Sequence, residues 1–116
     1  MKHKSVLKHG PTYRRLMDDH SSTHFMEGQV FPLGRLVITR GALDALERGD
    51  VIRALSRHAR GDWGEVDEHD LRVNETALQC GYRLVSIYQS EVSKTRFYVI
   101  TEEGRSVTTV LLPEEY

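Results

Sequence analysis

The chain has 116 residues, the size of one ordinary domain, and its 39% hydrophobic and 28% charged residues are typical of a water-soluble globular protein. A formal net charge of −1 excludes a strong overall attraction to nucleic acid or to an anionic membrane. The single cysteine, Cys80, excludes an internal disulfide and a cysteine-based zinc cluster.

The same features indicate where the protein is located. No apolar run approaches the roughly 20 residues that a membrane-spanning helix needs. Lys2 and Lys4 are not followed by an apolar segment, so no secretory signal is predicted. A lone cysteine suits a reducing compartment. We therefore expect a cytoplasmic protein without membrane contact.

Residues 1–28 are predicted to form a flexible basic leader. They carry five Lys or Arg against three Asp or Glu, and their hydrophobic residues follow no sustained period. The remaining chain carries eleven Lys or Arg against fourteen Asp or Glu, so the body is acidic. Residues 29–116 are predicted to form a single α+β domain.

The first half of this domain contains one strand and then helices. Leu33–Thr39 alternates as a strand does, and Ala42–Glu47 reads as a short helix. A second helix with an apolar stripe starts at Asp50 and ends near Gly61. A third helix runs from an Asp67 cap to Gly81.

The second half is predicted to be β-structure. Its strands are Tyr82–Ser90, Thr95–Thr101 and Val107–Leu112, and short polar turns separate them. Such turns indicate an antiparallel meander. The predicted fold class is thus α+β: two or three short helices followed by a three-stranded antiparallel meander, with the N-terminal strand joining an edge.

The end of the second helix carries the most suggestive polar residues. His58 and Asp62 lie four positions apart, so one helical turn would place the carboxylate beside the imidazole and raise its basicity for general acid–base work. A structural tie between helix end and loop explains the same pair. Trp63 reads as a core residue whose N–H needs a hydrogen-bond partner.

Hydroxyls on the predicted strands form a second group. A phosphate could be bound by Arg105 together with the hydroxyls of Ser106, Thr108 and Thr109, and of Thr101 on the preceding strand. Threonine is also an ordinary strand residue. Ser86 and Tyr88 point to one face of their strand. A buried amide needs partners, so Asn74, in mid-helix, is either a bracket for the Asp62 loop, which we favour, or a site residue. No metal site and no cofactor are predicted.

Several short strings resemble a family of small bacterial proteins found on plasmids and integrated mobile elements. The resemblance covers about residues 33–116 and consists, in order, of His58-x-x-Gly61-Asp62-Trp63-Gly64, Asn74, Ser86-x-Tyr88, Ile100-Thr101-Glu102, and Arg105-Ser106-x-Thr108-Thr109-x-Leu111-Leu112-Pro113-Glu114-Glu115-Tyr116. It implies a cytoplasmic bacterial protein of mobile DNA and brings no activity with it. A looser similarity is to compact ribonucleases of the barnase, colicin and RelE toxin type, which also place helices before an antiparallel meander.

Two functions remain open on the sequence. The preferred hypothesis is a non-catalytic interaction or accessory protein with a protein partner, for example an inhibitor of a host nucleic-acid or defence enzyme. Here Trp63 and Asn74 belong to a structural knot with His58 and Asp62. The alternative is a metal-independent, toxin-like endoribonuclease acting on RNA. His58, oriented by Asp62, would be its acid or base, and Arg105 would stabilise phosphate charge while Thr108, Ser86 or Tyr88 positions it.

Overall fold

The computed structural model describes the backbone of Tyr13–Arg15 and all of residues 27–116. The predicted leader therefore lies largely outside the described residues. The strands are β1 Tyr13–Arg15, β2 Arg35–Thr39, β3 Leu84–Gln89, β4 Arg96–Thr101 and β5 Val107–Leu111. The helices are α1 Arg40–Ala45, α2 Arg48–Ala59 and α3 Glu68–Cys80, and short 3-10 turns occupy Glu103–Arg105 and Pro113–Glu115.

The strands form one five-stranded sheet in the order β1-β2-β5-β4-β3. The α+β class is as predicted, and β3, β4 and β5 are antiparallel neighbours along the chain. Two details of the prediction are corrected. β2 pairs with β5 in parallel, so the sheet is mixed. The predicted strand does join an edge of the meander, at β5, but a further strand, β1, pairs antiparallel with the other side of β2. The parallel pair needs a crossover, which the three helices and two other strands provide.

Local signals account for most helix ends. The Thr39 hydroxyl caps α1 by accepting a hydrogen bond from the amide of Ala42. The Asp67 carboxylate caps α3 in the same way, 2.8 Å from the amide nitrogen of Asp70. Gly81 ends α3 at φ +81°. Asp50, the predicted start of the second helix, lies inside α2 because that helix already starts at Arg48.

The main core lies between the helices and one face of the sheet. Inward-facing residues of the central strands pack there against the apolar side of α2, which includes Val51, Leu55 and Ala59. The strand residues of this core are Leu36, Ile38, Leu84, Tyr88, Phe97, Val99 and Val110. Ile100 and Leu111 lie on the opposite face and form a second, smaller cluster. The alternation of the two clusters along β4 and β5 follows from the period of two in a strand.

The outer edge of β3 is covered by a loop. The backbone of Ile87 accepts from the amide of Glu65 at 2.7 Å and donates to the carbonyl of Trp63 at 3.0 Å. Gly64 makes this close approach possible: it has φ +75°, and a Cβ there would lie 2.0 Å from the carbonyl oxygen of Ile87. The loop after α2 therefore takes the place of a neighbouring strand and blocks edge-to-edge pairing.

Candidate functional site

His58 lies at the centre of the polar groups that the sequence singled out. It follows Val51 and Leu55 on the buried side of α2, and it has no exposed surface. Its Nδ1 lies 2.6 Å from the hydroxyl of Ser86 on β3. Its Nε2 lies 2.8 Å from the hydroxyl of Thr101 on β4. Both ring nitrogens are therefore hydrogen-bonded to side chains of the sheet.

The hydrogen bonds continue from Thr101 to the start of the domain. Thr101 Oγ1 lies 2.6 Å from Thr108 Oγ1, and the Thr108 hydroxyl donates to the backbone carbonyl of Leu33 at 2.6 Å. We call these groups the buried polar chain: Ser86, His58, Thr101, Thr108 and the carbonyl of Leu33. It connects α2 with three strands and with the segment before β2.

The last acceptor in this chain determines the direction of each hydrogen bond. A carbonyl only accepts, so the Thr108 hydroxyl donates its one proton to the carbonyl of Leu33. In its hydrogen bond with Thr101, Thr108 must therefore be the acceptor. Thr101 then accepts from Nε2–H of His58, and the free electron pair on Nδ1 accepts from Ser86. Every polar atom is satisfied when His58 is neutral with its proton on Nε2.

Burial also keeps His58 neutral. Loss of solvent, with a smaller contribution from the positive charge of Arg105, lowers the pKa of His58 from 6.5 to about 3. A general acid or base for neutral conditions needs a pKa near 7 and contact with its substrate. His58 has neither, because its ring is enclosed and both nitrogens are used.

The predicted pairing of His58 with Asp62 is wrong. Asp62 accepts instead from the Arg57 guanidinium, with Nε–Oδ2 at 2.8 Å and Nη2–Oδ1 at 3.2 Å. This partner lowers the pKa of the Asp62 carboxyl. The four-residue rule holds only within a helix, and α2 ends at Ala59. Gly61, at φ +82°, then turns the chain so that Asp62 lies at the surface beside Arg57.

Replacing Asp62 with alanine is expected to cost about 1 kcal/mol of unfolding free energy or less, because half-exposed ion pairs contribute little. The side chains of Arg57 and Asp62 are 45% and 50% exposed. Chemical denaturation of wild type and Asp62→Ala measures this loss. A loss above about 3 kcal/mol, the size found when buried charge pairs are broken, would contradict the surface role.

Tyr88 and Trp63 attach the same loop to the interior. The Tyr88 hydroxyl donates to the backbone carbonyl of Asp62 at 2.5 Å, and burial raises the pKa of this phenol. Trp63 is 2% exposed and donates its indole N–H to Glu75 of α3 at 3.0 Å. Its ring stacks on Phe31 with centroids 6.1 Å apart. Trp63 thus has the partner that its N–H required.

Asn74 supports the sheet edge instead of the Asp62 loop. Its amide nitrogen donates to the carbonyl of Val85 at 2.8 Å, and its amide oxygen accepts from the amide of Val85 at 3.2 Å. The pair reproduces the two hydrogen bonds that a neighbouring strand would make. Asn74 is 3% exposed, so the expectation of a buried amide with partners is correct, but the partner is β3.

Asn74→Ala is expected to lower the free energy of unfolding by about 2 kcal/mol, because it leaves the amide and carbonyl of Val85 without partners. Gln79→Ala on the exposed side of α3 is the matched control and should change stability by less than about 0.5 kcal/mol. Urea unfolding followed by circular dichroism measures both. Equal values for the two variants would refute the role assigned to Asn74.

Arg105 makes no hydrogen bond to the buried polar chain. Its guanidinium donates to the carbonyl of Tyr82 and, at 2.9 Å, to the carbonyl of Ala77 near the end of α3. The positive charge therefore neutralises the negative end of the α3 dipole. Partial burial lowers its pKa. No contact brings Arg105 onto Ser86 or Thr108, so the predicted phosphate-binding group does not assemble.

Two further polar connections were not anticipated from the sequence. Asp50 is buried in α2 and accepts hydrogen bonds from Ser90 and Arg53. Glu115 near the C-terminus accepts from the Thr39 hydroxyl at 2.5 Å and from the amide of Gly41 at 3.2 Å. For the Asp50 connection the sequence did offer a signal, an aspartate among apolar helix positions. Nothing in the sequence pattern indicates the second.

No protein-family model matches this chain, and no curated protein and no solved structure is significantly similar to it. The resemblance to bacterial plasmid proteins stays a prediction. Within Tyr13–Arg15 and residues 27–116, no helix is long and apolar enough to cross a membrane. The same residues contain no group of three or more His, Cys, Asp or Glu placed to hold a metal ion.

Proposed function

We propose that this protein is a non-catalytic interaction protein in which the polar cluster around His58 is a scaffold. One observation carries the proposal: His58 is completely buried, and both its nitrogens are used in a hydrogen-bond chain that ends on the carbonyl of Leu33. Such a chain fixes α2 on the sheet. It leaves no proton donor or acceptor free for a substrate.

The same geometry disfavours the endoribonuclease alternative, because each residue proposed for catalysis is buried or bound to another group. Ser86 and Thr108 have no exposed surface, and Tyr88 is 2% exposed. Arg105 is held by backbone carbonyls, and Asp62 by Arg57. A phosphodiester needs an acid, a base and a cation that meet in an open cleft. These residues do not meet in one.

The charge around the start of α3 supports a partner with a basic surface. Residues 65–75 contain five Asp or Glu and one Arg, and all six are exposed. Acidic surfaces attract basic ones and repel nucleic acid. An enzyme of nucleic-acid metabolism exposes such a basic surface. Together with the resemblance to proteins of mobile DNA, this supports a cytoplasmic inhibitor of a bacterial nucleic-acid or defence enzyme.

Two measurements test the proposal. Purified wild-type protein should not hydrolyse RNA above the level of the His58→Gln variant, which keeps the interior neutral. Affinity purification from bacterial lysate should yield a protein that, when purified separately, forms a complex of fixed stoichiometry with this chain. RNA hydrolysis lost in His58→Gln, or failure of every captured protein to bind in purified form, would refute the proposal.

A further inference from the structure

A groove of about 860 Å³ lies beside α3, on the side where the helix meets β3 and the turn after β4. Its apolar walls are formed by Val66, Val73, Ala77, Tyr82, Val85 and Ile87. Pockets of 300 to 1,000 Å³ are the size that proteins use to hold small ligands or a few side chains. This groove has room for several side chains of a partner.

Two of the residues that form these walls are unusually exposed. Val73 is 49% exposed and Tyr82 is 53% exposed. Within the described residues, α3 buries only Asn74 and Ala77. Val73 lies between charged and polar residues of α3, and the half of its surface that water covers gains nothing from folding. Exposed apolar residues grouped in a concavity, with a polar rim, are typical of protein interaction sites.

The rim of the groove has an excess of negative charge. Arg83 is paired with Glu102 at 3.1 Å, and Arg72 lies 3.5 Å from Glu68. Asp70 and Glu103 have no ion-pair partner among residues 27–116. The second carboxylate oxygen of Glu102 is buried at this rim and has no hydrogen-bond partner there. The groove therefore combines apolar walls with unneutralised carboxylates.

We propose that this groove docks a basic amphipathic segment of a partner protein, with apolar side chains against Val73 and Tyr82 and Lys or Arg beside Asp70 and Glu103. The inference rests on the proposed interaction function and names the surface that performs it. An amphipathic helix laid in an apolar groove is a common recognition mode. Charge complementarity selects a basic segment, since an acidic one or a nucleic acid would meet the same carboxylates.

The docking test uses the full-length ¹⁵N-labelled protein and a synthetic helical probe of about 14 residues, with leucines on one face and lysines on the other. A second peptide carries glutamate in place of each lysine. The lysine peptide should shift the amide signals of residues around Val73, Tyr82 and Glu103, and added salt should weaken the binding. The glutamate peptide should leave these signals unchanged.

Matched variants separate the apolar and the charged contribution. Val73→Ser and Glu103→Lys should each weaken binding of the lysine peptide by about tenfold, as the loss of one central interface contact does. Val92→Ser and Glu91→Lys change the same residue types in the exposed turn between β3 and β4. These two controls should bind within about twofold of wild type, since surface substitutions away from a contact usually change free energies by less than about 0.5 kcal/mol.

Three results would overturn the docking proposal: binding of both peptides, signal shifts confined to another surface, or equal affinity of groove and control variants. Concentration-dependent shifts of the groove signals without peptide would assign the surface to a second copy of this chain. The outcome is separate from that of the proposed function. A purified partner that binds Val73→Ser as tightly as wild type overturns the groove and leaves the interaction function standing.

Discussion

His58→Ala is expected to lower the free energy of unfolding by about 3–5 kcal/mol, among the largest effects of a single substitution in this domain. The change removes a fully buried ring and leaves a cavity between α2 and the sheet. It also takes away the acceptor of Ser86 and the donor to Thr101. A buried polar group without its partner costs about 1–3 kcal/mol. Urea unfolding followed by circular dichroism measures the loss.

The control for this substitution is His69→Ala. His69 is exposed near the start of α3, so its removal should change stability by about 0.5 kcal/mol or less. Ser86→Ala tests the polar chain without opening a large cavity, and it should lie between these two variants. If His58→Ala were no more destabilising than His69→Ala, the buried polar chain would not be a scaffold.

The part of the fold that depends on neighbouring segments could be predicted from the sequence. The turns between β3, β4 and β5 are short, and short turns allow only antiparallel neighbours. The parallel pairing of β2 with β5 joins segments that are far apart in the chain. Both strands look alike in composition whichever way they pair. The relative direction of the two strands is decided by how the helices pack, and the hydrophobic periodicity of the sequence carries no information about that packing.

The candidate site likewise has a part that the sequence predicts and a part that depends on how distant segments pack. Sequence reasoning selected His58, Ser86, Thr101 and Thr108, and these residues do meet. The strand register places Thr101 opposite Thr108, so their hydroxyls share one face. What lies above that face depends on the docking of α2. The sequence could not distinguish a buried histidine from a bound phosphate, because either one satisfies the same hydroxyls.

Asp62 shows how a spacing rule fails at a helix end. A separation of four brings two side chains together only while the backbone remains helical. The glycine at position 61 was visible in the sequence, but the direction of the chain after it was not. Arg57, five residues before Asp62, became the partner because the positive φ of Gly61 turns the loop back along α2.

The second large effect concerns pH. The pKa of His58 is about 3 in the folded protein and 6.5 without burial, so the unfolded chain binds the proton first as pH falls. Stability is therefore complete above pH 6.5 and decreases between pH 6.5 and pH 3. The slope approaches about 1.4 kcal/mol per pH unit for one proton. We expect a loss of about 2 kcal/mol between pH 7 and pH 5 and about 5 kcal/mol over the whole range.

The interval from pH 7 to pH 5 isolates His58. Hydrogen bonds from Ser90 and Arg57 lower the pKa values of Asp50 and Asp62, so the stability that these carboxylates contribute is lost only at lower pH. His58→Gln removes the titrating ring and keeps a neutral polar side chain, whereas the other five histidines are common to both proteins. The difference between the two unfolding free energies should shrink by about 2 kcal/mol over this interval. A constant difference would mean that His58 takes up its proton in the folded protein, and the enclosed neutral imidazole, on which the scaffold argument depends, would be wrong.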